Sequence, residues 1–198
     1  MTTRICLIAG LAASSAALGA PSFGTPAQLA TAQRPAGVAS ADFDGDGIAD
    51  LAVAVDTIDR IDVFFGTGGG AFGAPVPIFT GSNSGPDALV TADVNGDGQA
   101  DLVVVLNNQN LVRAYINNAG SFSQGSQAST GLEPVSLDAA DLDADGDTDF
   151  VVANRDANTF SVITNSGGSF SSAAFAAGLE PRDAAPIDLN GDGLYEVA

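Results

Sequence analysis

The chain has 198 residues, 24 of them acidic and only six basic, for a formal net charge of −18, with no histidine and a single cysteine. So negative a chain lacks the electrostatic footprint of a protein that binds DNA, RNA or an anionic membrane. Without His or Lys, and with Cys6 as the sole thiol, it also lacks an ordinary nucleophile and base pair for catalysis.

The N-terminus, MTTRICLIAGLAASSAALGA, has a basic start at Arg4, an apolar stretch from Ile5 to about Leu18, and small residues around Gly19. This is the pattern of a secretory signal peptide over residues 1–19, with cleavage after Gly19 in Ala17-Leu18-Gly19; cleavage after Ala20 would leave Pro21 first. The alternatives are a buried helix or an uncleaved anchor, but the stretch is shorter than the roughly 20 apolar residues that span a bilayer. The expectation is therefore a secreted, periplasmic or cell-surface protein with no membrane insertion after cleavage. Cys6 lies inside the signal and too early for a lipoprotein attachment site, so the mature chain has no thiol for disulfides or zinc.

Beyond residue 34 one nine-residue acidic loop occurs four times: DFDGDGIAD, DVNGDGQAD, DLDADGDTD and DLNGDGLYE. Oxygen-bearing side chains recur at positions 1, 3, 5 and 9. In the first loop these are Asp42, Asp44, Asp46 and Asp50, and in the second Asp93, Asn95, Asp97 and Asp101. The third has Asp141, Asp143, Asp145 and Asp149; the fourth has Asp188, Asn190, Asp192 and Glu196, with Glu in place of the closing Asp. Position 7, held by Ile48, Gln99, Asp147 and Leu194, would add a backbone carbonyl. Such a cage suits Ca²⁺, which takes six to eight oxygens, better than Mg²⁺, which keeps its waters. One Ca²⁺ per loop, up to four, is expected. Gly47, Gly98, Gly146 and Gly193 at position 6 permit the tight positive-φ turn that wraps an ion. Asp, Asn and Gly also gather in solvated turns, but four copies in register are not explained that way. Fifteen of the acids lie in these loops, so metal binding accounts for most of the charge.

An EF-hand begins similarly but needs a bidentate Glu at position 12 between helices. Position 12 is Val53, Val104 and Val152 in the first three loops, inside the β-type runs LAVAV, LVVVL and FVVAN. The same lack of helices and closing acid excludes a dockerin-like pair.

First aspartates are 51, 48 and 47 residues apart, a period of repeat arrays. Each unit starts at a proline (Pro35, Pro86, Pro134, Pro181), runs through a short strand into the loop, and continues with an apolar strand. A third strand follows (IDVFF, LVRAYI, FSVIT), then a Gly-containing turn, a phenylalanine (Phe72, Phe122, Phe170) and a more polar fourth strand. The second strands are apolar on both faces, hence buried on both, with small alanines facing one way and branched residues the other. The expected fold is all-β: a β-propeller of four-stranded blades with the calcium loop between strands 1 and 2. The predicted boundaries are blades at 35–85, 86–133 and 134–180, and the start of a fourth at 181–198.

The loop D-x-[DN]-x-D-G-x-x-[DE] followed by an apolar strand, the turns NNAGSF, NSGGSF and GGGAF, and FGAP at Phe72 to Pro75 resemble FG-GAP/VCBS-type repeats. These are also the calcium-bearing blades of integrin α-subunit β-propellers. The resemblance covers roughly Ser22 to the end and implies the same loop placement; FSQG and FSSA replace FGAP in later units. Residues 20–34 match a unit's outer strand without its predecessors, as an orphan closing strand would, and the last unit stops at Ala198. An incomplete propeller with C-terminal blades missing is the expectation.

By resemblance, the leading function is a secreted calcium-binding scaffold for binding or adhesion, with an unknown extracellular protein or carbohydrate as partner. With no Trp, and only Tyr115 and Tyr195, there is little for stacking on sugars. The alternatives are the propeller portion of a larger secreted hydrolase or lyase, and a purely structural envelope protein. No catalytic set is expected within these residues: Glu133 and Glu180 both fall in a repeated GLEP. Arg60, Arg113 and Arg155, before or within successive third strands, are expected to pair with local carboxylates.

Overall fold

The structure, a computed structural model, describes residues 5–6, 28–29, 34–191 and 195–198. Most of the expected signal segment and of residues 20–34, together with Asp192, Gly193 and Leu194, lie outside the described residues. Strand β1 (Ile5–Cys6) pairs antiparallel with β2 (Gln28–Leu29).

Three units then fold as antiparallel meanders. The first comprises β3 (Pro35–Ala41), β4 (Asp50–Val55), β5 (Arg60–Phe64), a small hairpin of β6 (Gly66–Gly68) and β7 (Ala71–Phe72), and β8 (Val76–Phe79), with sheet order β3-β4-β5-β8. The second runs β9 (Pro86–Ala92), β10 (Asp101–Leu106), β11 (Leu111–Asn118) and β12 (Ser121–Ser129). In the third, β13 (Asp138–Ala140), β14 (Asp149–Asn154), β15 (Thr159–Ser166) and β16 (Ser169–Ala176) repeat the order, while Pro134 makes only an isolated bridge to Asn154. β17 (Pro186–Ile187) and β18 (Glu196–Val197) pair as the inner strands of a fourth. First strands lie side by side, β3 against β9, β9 against β13 and β13 against β17, so the sheets stack radially as propeller blades. The described blades form an open arc.

Each second strand is buried along its whole length. The cause is two-sided packing: Leu102, Val104 and Leu106 meet Ala52, Ala54, Ile61 and Val63 of the first blade, while Val103 and Val105 meet Phe150, Val152 and Ile163 of the third. At the first seam a small face meets a large one, as the alternation in β4 predicted. The alanine face of β4 receives leucines, and its Leu51, Val53 and Val55 pack on the other side with Phe64 and Leu29. Side chains fill the space between sheets without voids only when such volumes match.

The turn between second and third strands holds the linker to the next blade by a repeated device. Asp59, Asn110 and Asn158 adopt left-handed φ values of 51°, 54° and 55°. The Asp59 carboxylate accepts the amides of Asn83 (2.7 Å), Ser84 (2.8 Å) and Gly85 (3.0 Å). In the next two blades Asn110 Oδ1 accepts the Glu133 amide (3.0 Å) and Asn158 Oδ1 the Glu180 amide (2.8 Å). Glu133 and Glu180 thus occupy matched linker positions, as the GLEP repeat suggested. The Gly85 amide, then those of Asn83 and Ser84, hold the Asp59 carboxyl below the usual carboxylate range. A lowered folded pKa contributes stability above the unfolded value of about 3.9, and that stability is lost as pH falls through the folded pKa. Asp59→Asn should therefore cost about 1 to 2 kcal/mol at pH 7. Urea unfolding of both proteins should show this difference shrinking below about pH 4; a gap that stays constant there would refute the assignment.

The arginines correct one expectation. Arg60 pairs with Asp62 (2.7 Å) and Arg155 with Glu133. Arg113, however, donates to Gln127 Oε1 (2.9 Å) and, across to the preceding blade, to the Thr80 carbonyl (2.9 Å). Its strand places it at the seam, where the partners it meets are an amide oxygen and a backbone carbonyl.

Candidate metal centres

In the first two loops the chain wraps around the first aspartate. Asp42 Oδ1 accepts the Gly45 (2.8 Å) and Asp46 (3.2 Å) amides, and its Oδ2 accepts that of Gly47 (2.8 Å). Asp93 does the same with Gly96 (2.9 Å), Asp97 (3.0 Å) and Gly98 (2.8 Å). The position-6 glycines take φ values of 83°, 83° and 96° in the first three loops, the conformation expected of them. Carboxylate oxygens of positions 1, 3 and 9 converge to within 4.8 Å of one another in the first loop (Asp42, Asp44, Asp50) and the third (Asp141, Asp143, Asp149). The second loop has an amide, Asn95, at position 3. Position 5 lies outside these converging sets, its Oδ1 capping the position-7 amide: Asp46 that of Ile48 (2.8 Å), Asp97 that of Gln99 (2.8 Å), Asp145 that of Asp147 (2.9 Å). In the fourth loop Asp188 accepts the Gly191 amide (2.6 Å), and Glu196 reaches the Leu189 amide (2.9 Å) and Asn190 (3.1 Å).

The closing aspartates do more than their motif position announced. Asp50, Asp101 and Asp149 are fully buried. Each accepts two backbone amides, one from loop position 2 and one from the end of the third strand or, in the first blade, from the start of β6. Asp50 takes Phe43 (2.7 Å) and Gly66 (2.7 Å); Asp101 takes Val94 (2.9 Å) and Asn117 (2.7 Å); Asp149 takes Leu142 (2.9 Å) and Asn165 (2.8 Å). Position 2 is the plug of each seam. Phe43 and Val94 are buried, Phe43 edge-on to Phe122 of the next blade at 5.5 Å, whereas Leu189 is 66% exposed. Asn117 and Asn165 add a link between blades: their Nδ2 atoms donate to the Phe43 carbonyl (2.8 Å) and the Val94 carbonyl (2.9 Å) of the preceding blade. Gly66 takes this place in the first blade, where a Cβ would press on the Ala49 carbonyl (2.6 Å) and Ile48 Cγ2 (2.7 Å). In the second and third blades the position-7 side chain is polar and holds the turn instead, Gln99 accepting the Ala119 amide (2.8 Å) and Asp147 that of Gly167 (2.7 Å).

Loss of hydration, and after it the neighbouring carboxylates, favours the protonated form of several loop aspartates. Burial raises the Asp101 and Asp149 pKa values against the opposing pull of the amides each accepts, and neighbouring loop aspartates raise them further. Desolvation, with the charges of Asp46, Asp50 and Asp42, raises that of Asp44. A cation would relieve each of these costs.

The third loop tests the fit. Ala144, at φ 62°, stands where the first two loops have glycine, and Asp141 Oδ1 is left buried with no hydrogen-bond partner among the described residues. An orphaned buried carboxylate oxygen is costly unless something positive meets it. It belongs to the converging set, so the all-oxygen donors present fit a hard cation.

The likeness to known proteins follows the same units. The model of the FG-GAP-like repeat matches residues 42–104, 101–152 and 141–198. No curated protein matches the sequence. Among solved structures, a Bacteroides uniformis protein provisionally assigned as a 6-phosphogluconolactonase is similar at TM-score 0.55 and 20% identity, over 77% of this chain and 44% of that one. A Lactobacillus plantarum protein is similar at TM-score 0.55 and 17% identity, over 83% of this chain and 46% of that one. The chain thus spans less than half the length of either, and identities this low bear on the fold alone. Because the repeat model accounts for residues 42–198 loop by loop, the chain belongs to the FG-GAP-like repeat family.

Proposed function

We propose that the chain is an exported, Ca²⁺-stabilised propeller scaffold that presents a surface to an extracellular protein or glycan partner. The observation that carries the metal part is the convergence of carboxylates at equivalent places in separate blades, with the orphaned Asp141 Oδ1 in one of them. Asp42, Asp44 and Asp50, and Asp141, Asp143 and Asp149, would hold the ions, with Asp93, Asn95 and Asp101 as the second-blade counterpart. The bound ion would supply positive charge to a cage of like charges. The loop residues do the rest: they fix the position-2 plug and the end of the third strand. Recurrence of the loop in each unit, with converging carboxylates in two of them, favours a role in the fold over a single reaction centre.

The partner reading draws on a polar depression of about 570 Å³ at the strand ends opposite the acidic loops. Arg34, Asp56, Asp87, Asn107, Glu133 and Arg155 are among its lining residues. Burial, with the Asp56 charge, raises the Asp87 pKa, which marks a carboxylate short of compensation. A larger secreted enzyme and an envelope structure remain the competing readings.

Equilibrium dialysis against Ca²⁺ should give up to four ions per chain, little displaced by equal Mg²⁺. Ester, glycoside, polyuronide and phosphomonoester substrates should show no turnover above background. Absence of saturable Ca²⁺ binding would overturn the metal reading. Ca²⁺-dependent hydrolysis lost on changing one loop of a folded protein would promote the enzyme.

A further inference from the structure

We propose that the ion loops of adjacent blades are coupled, with Asn117 and Asn165 as the positioning residues that carry the coupling; this rests on the cation reading above. The ground is a continuous run of hydrogen bonds through three loops. Asp50 accepts the Phe43 amide (2.7 Å), and the Phe43 carbonyl accepts Asn117 Nδ2 (2.8 Å). The Asn117 amide donates to Asp101 (2.7 Å), which also accepts the Val94 amide (2.9 Å). The Val94 carbonyl accepts Asn165 Nδ2 (2.9 Å), and the Asn165 amide donates to Asp149 (2.8 Å), which accepts that of Leu142 (2.9 Å).

Every joint lies beside a candidate ligand. Phe43 sits between Asp42 and Asp44, so the direction of its carbonyl depends on how those carboxylates are held. Their like charges repel one another across a converged set, and an ion among them would offset that repulsion and hold them in place. The orientation of that carbonyl sets Asn117, whose own amide positions the closing residue of the next loop. Both asparagines are only 1% exposed, so water does not readily replace a lost bond, and the cost of misalignment falls on the neighbouring blade. Side-chain oxygens anchor the other end, Asn117 accepting the Gly120 amide (2.9 Å) and Asn165 that of Gly168 (3.0 Å). Filling one loop therefore pre-orders the next. Linkage makes the effect reciprocal, so filling the second loop tightens the first by the same factor. Gly66 has no amide side chain, so this relay has no such arm leading into the first loop from its other side.

The test is a Ca²⁺ titration of the full ¹⁵N-labelled chain, following the amides of Gly47, Gly98 and Gly146, each of which donates to the first aspartate of its own loop. The expected result is that the three signals move together, with a Hill coefficient of about 1.5 and a roughly fivefold gain in affinity at one loop when its neighbour fills. Asn117→Asp keeps the oxygen that accepts Gly120 but removes the donor to Phe43. It should detach the Gly47 curve while Gly98 and Gly146 stay linked, and Asn165→Asp should detach Gly146 while Gly47 and Gly98 stay linked. General destabilisation would not move one pair and spare the other. Independent, non-cooperative curves in the unaltered chain would overturn the coupling without recourse to any variant, as would linkage unchanged in a folded Asn117→Asp protein. If no glycine amide responds to Ca²⁺, the cation reading itself fails, and the coupling with it.

Discussion

Adding about 1 mM free Ca²⁺ to metal-stripped protein should raise its thermal midpoint by roughly 2 to 16 °C, while the same Mg²⁺ does little. Sites of the extracellular type bind with dissociation constants of about 0.1 to 1 mM, so each filled loop contributes roughly 0.4 to 1.4 kcal/mol by linkage. Over the three fully described loops this is about 1 to 4 kcal/mol, and in a chain of this size each kcal/mol moves the midpoint by about 2 to 4 °C. Scanning calorimetry in Ca²⁺, Mg²⁺ and chelator decides it. Equal midpoints in all three would remove calcium from the account of this fold.

Asp101→Ala should destabilise by about 2 to 4 kcal/mol even in chelator, whereas Asp44→Ala should cost little until calcium is added. The difference follows from what each carboxylate holds. Asp101 is fully buried and accepts the Val94 and Asn117 amides, so truncation strands two buried donors at about 1 to 3 kcal/mol each. Relief of a buried charge, whose desolvation already raises its pKa, offsets part of that loss and sets the lower end of the range. Asp44 is exposed and, among the described residues, accepts only the Asp46 amide at 3.2 Å. Denaturant unfolding of both variants with and without metal separates the roles. Equal losses in chelator would mean that the closing aspartate is no more than another ligand.

The legible part of this protein is the part written locally. Nine contiguous residues specify a loop, and an unbroken apolar run after it specifies a strand buried on both faces; both were readable from Asp42 to Val55 alone. What escaped depends on contacts between distant segments. The Asn of NNAG and NSGG announced a turn, and Asn117 and Asn165 do cap one through Gly120 and Gly168. Nothing nearby in sequence announced that the same side chains reach 74 and 71 residues back to Phe43 and Val94. A single apolar residue in an acidic loop carries no periodicity, so position 2 is legible only through its repetition as Phe, Val, Leu and Leu. Arg113 misled for a related reason: charge suggested an acidic partner, while strand geometry delivered the Thr80 carbonyl.

An array of near-identical units risks assembling in the wrong order, and the uneven seams give each junction an address. Ala52 and Ala54 make a shallow face that accommodates Leu102, Val104 and Leu106, whereas Val103 and Val105 face Phe150. Set the third blade against the first, and Phe150 would meet a surface shaped for leucines. Overpacking of that kind costs about 1 to 3 kcal/mol. Divergence between the two seams thus favours junctions between chain neighbours, and shuffled or recombined repeats would have to restore volume at every junction they create.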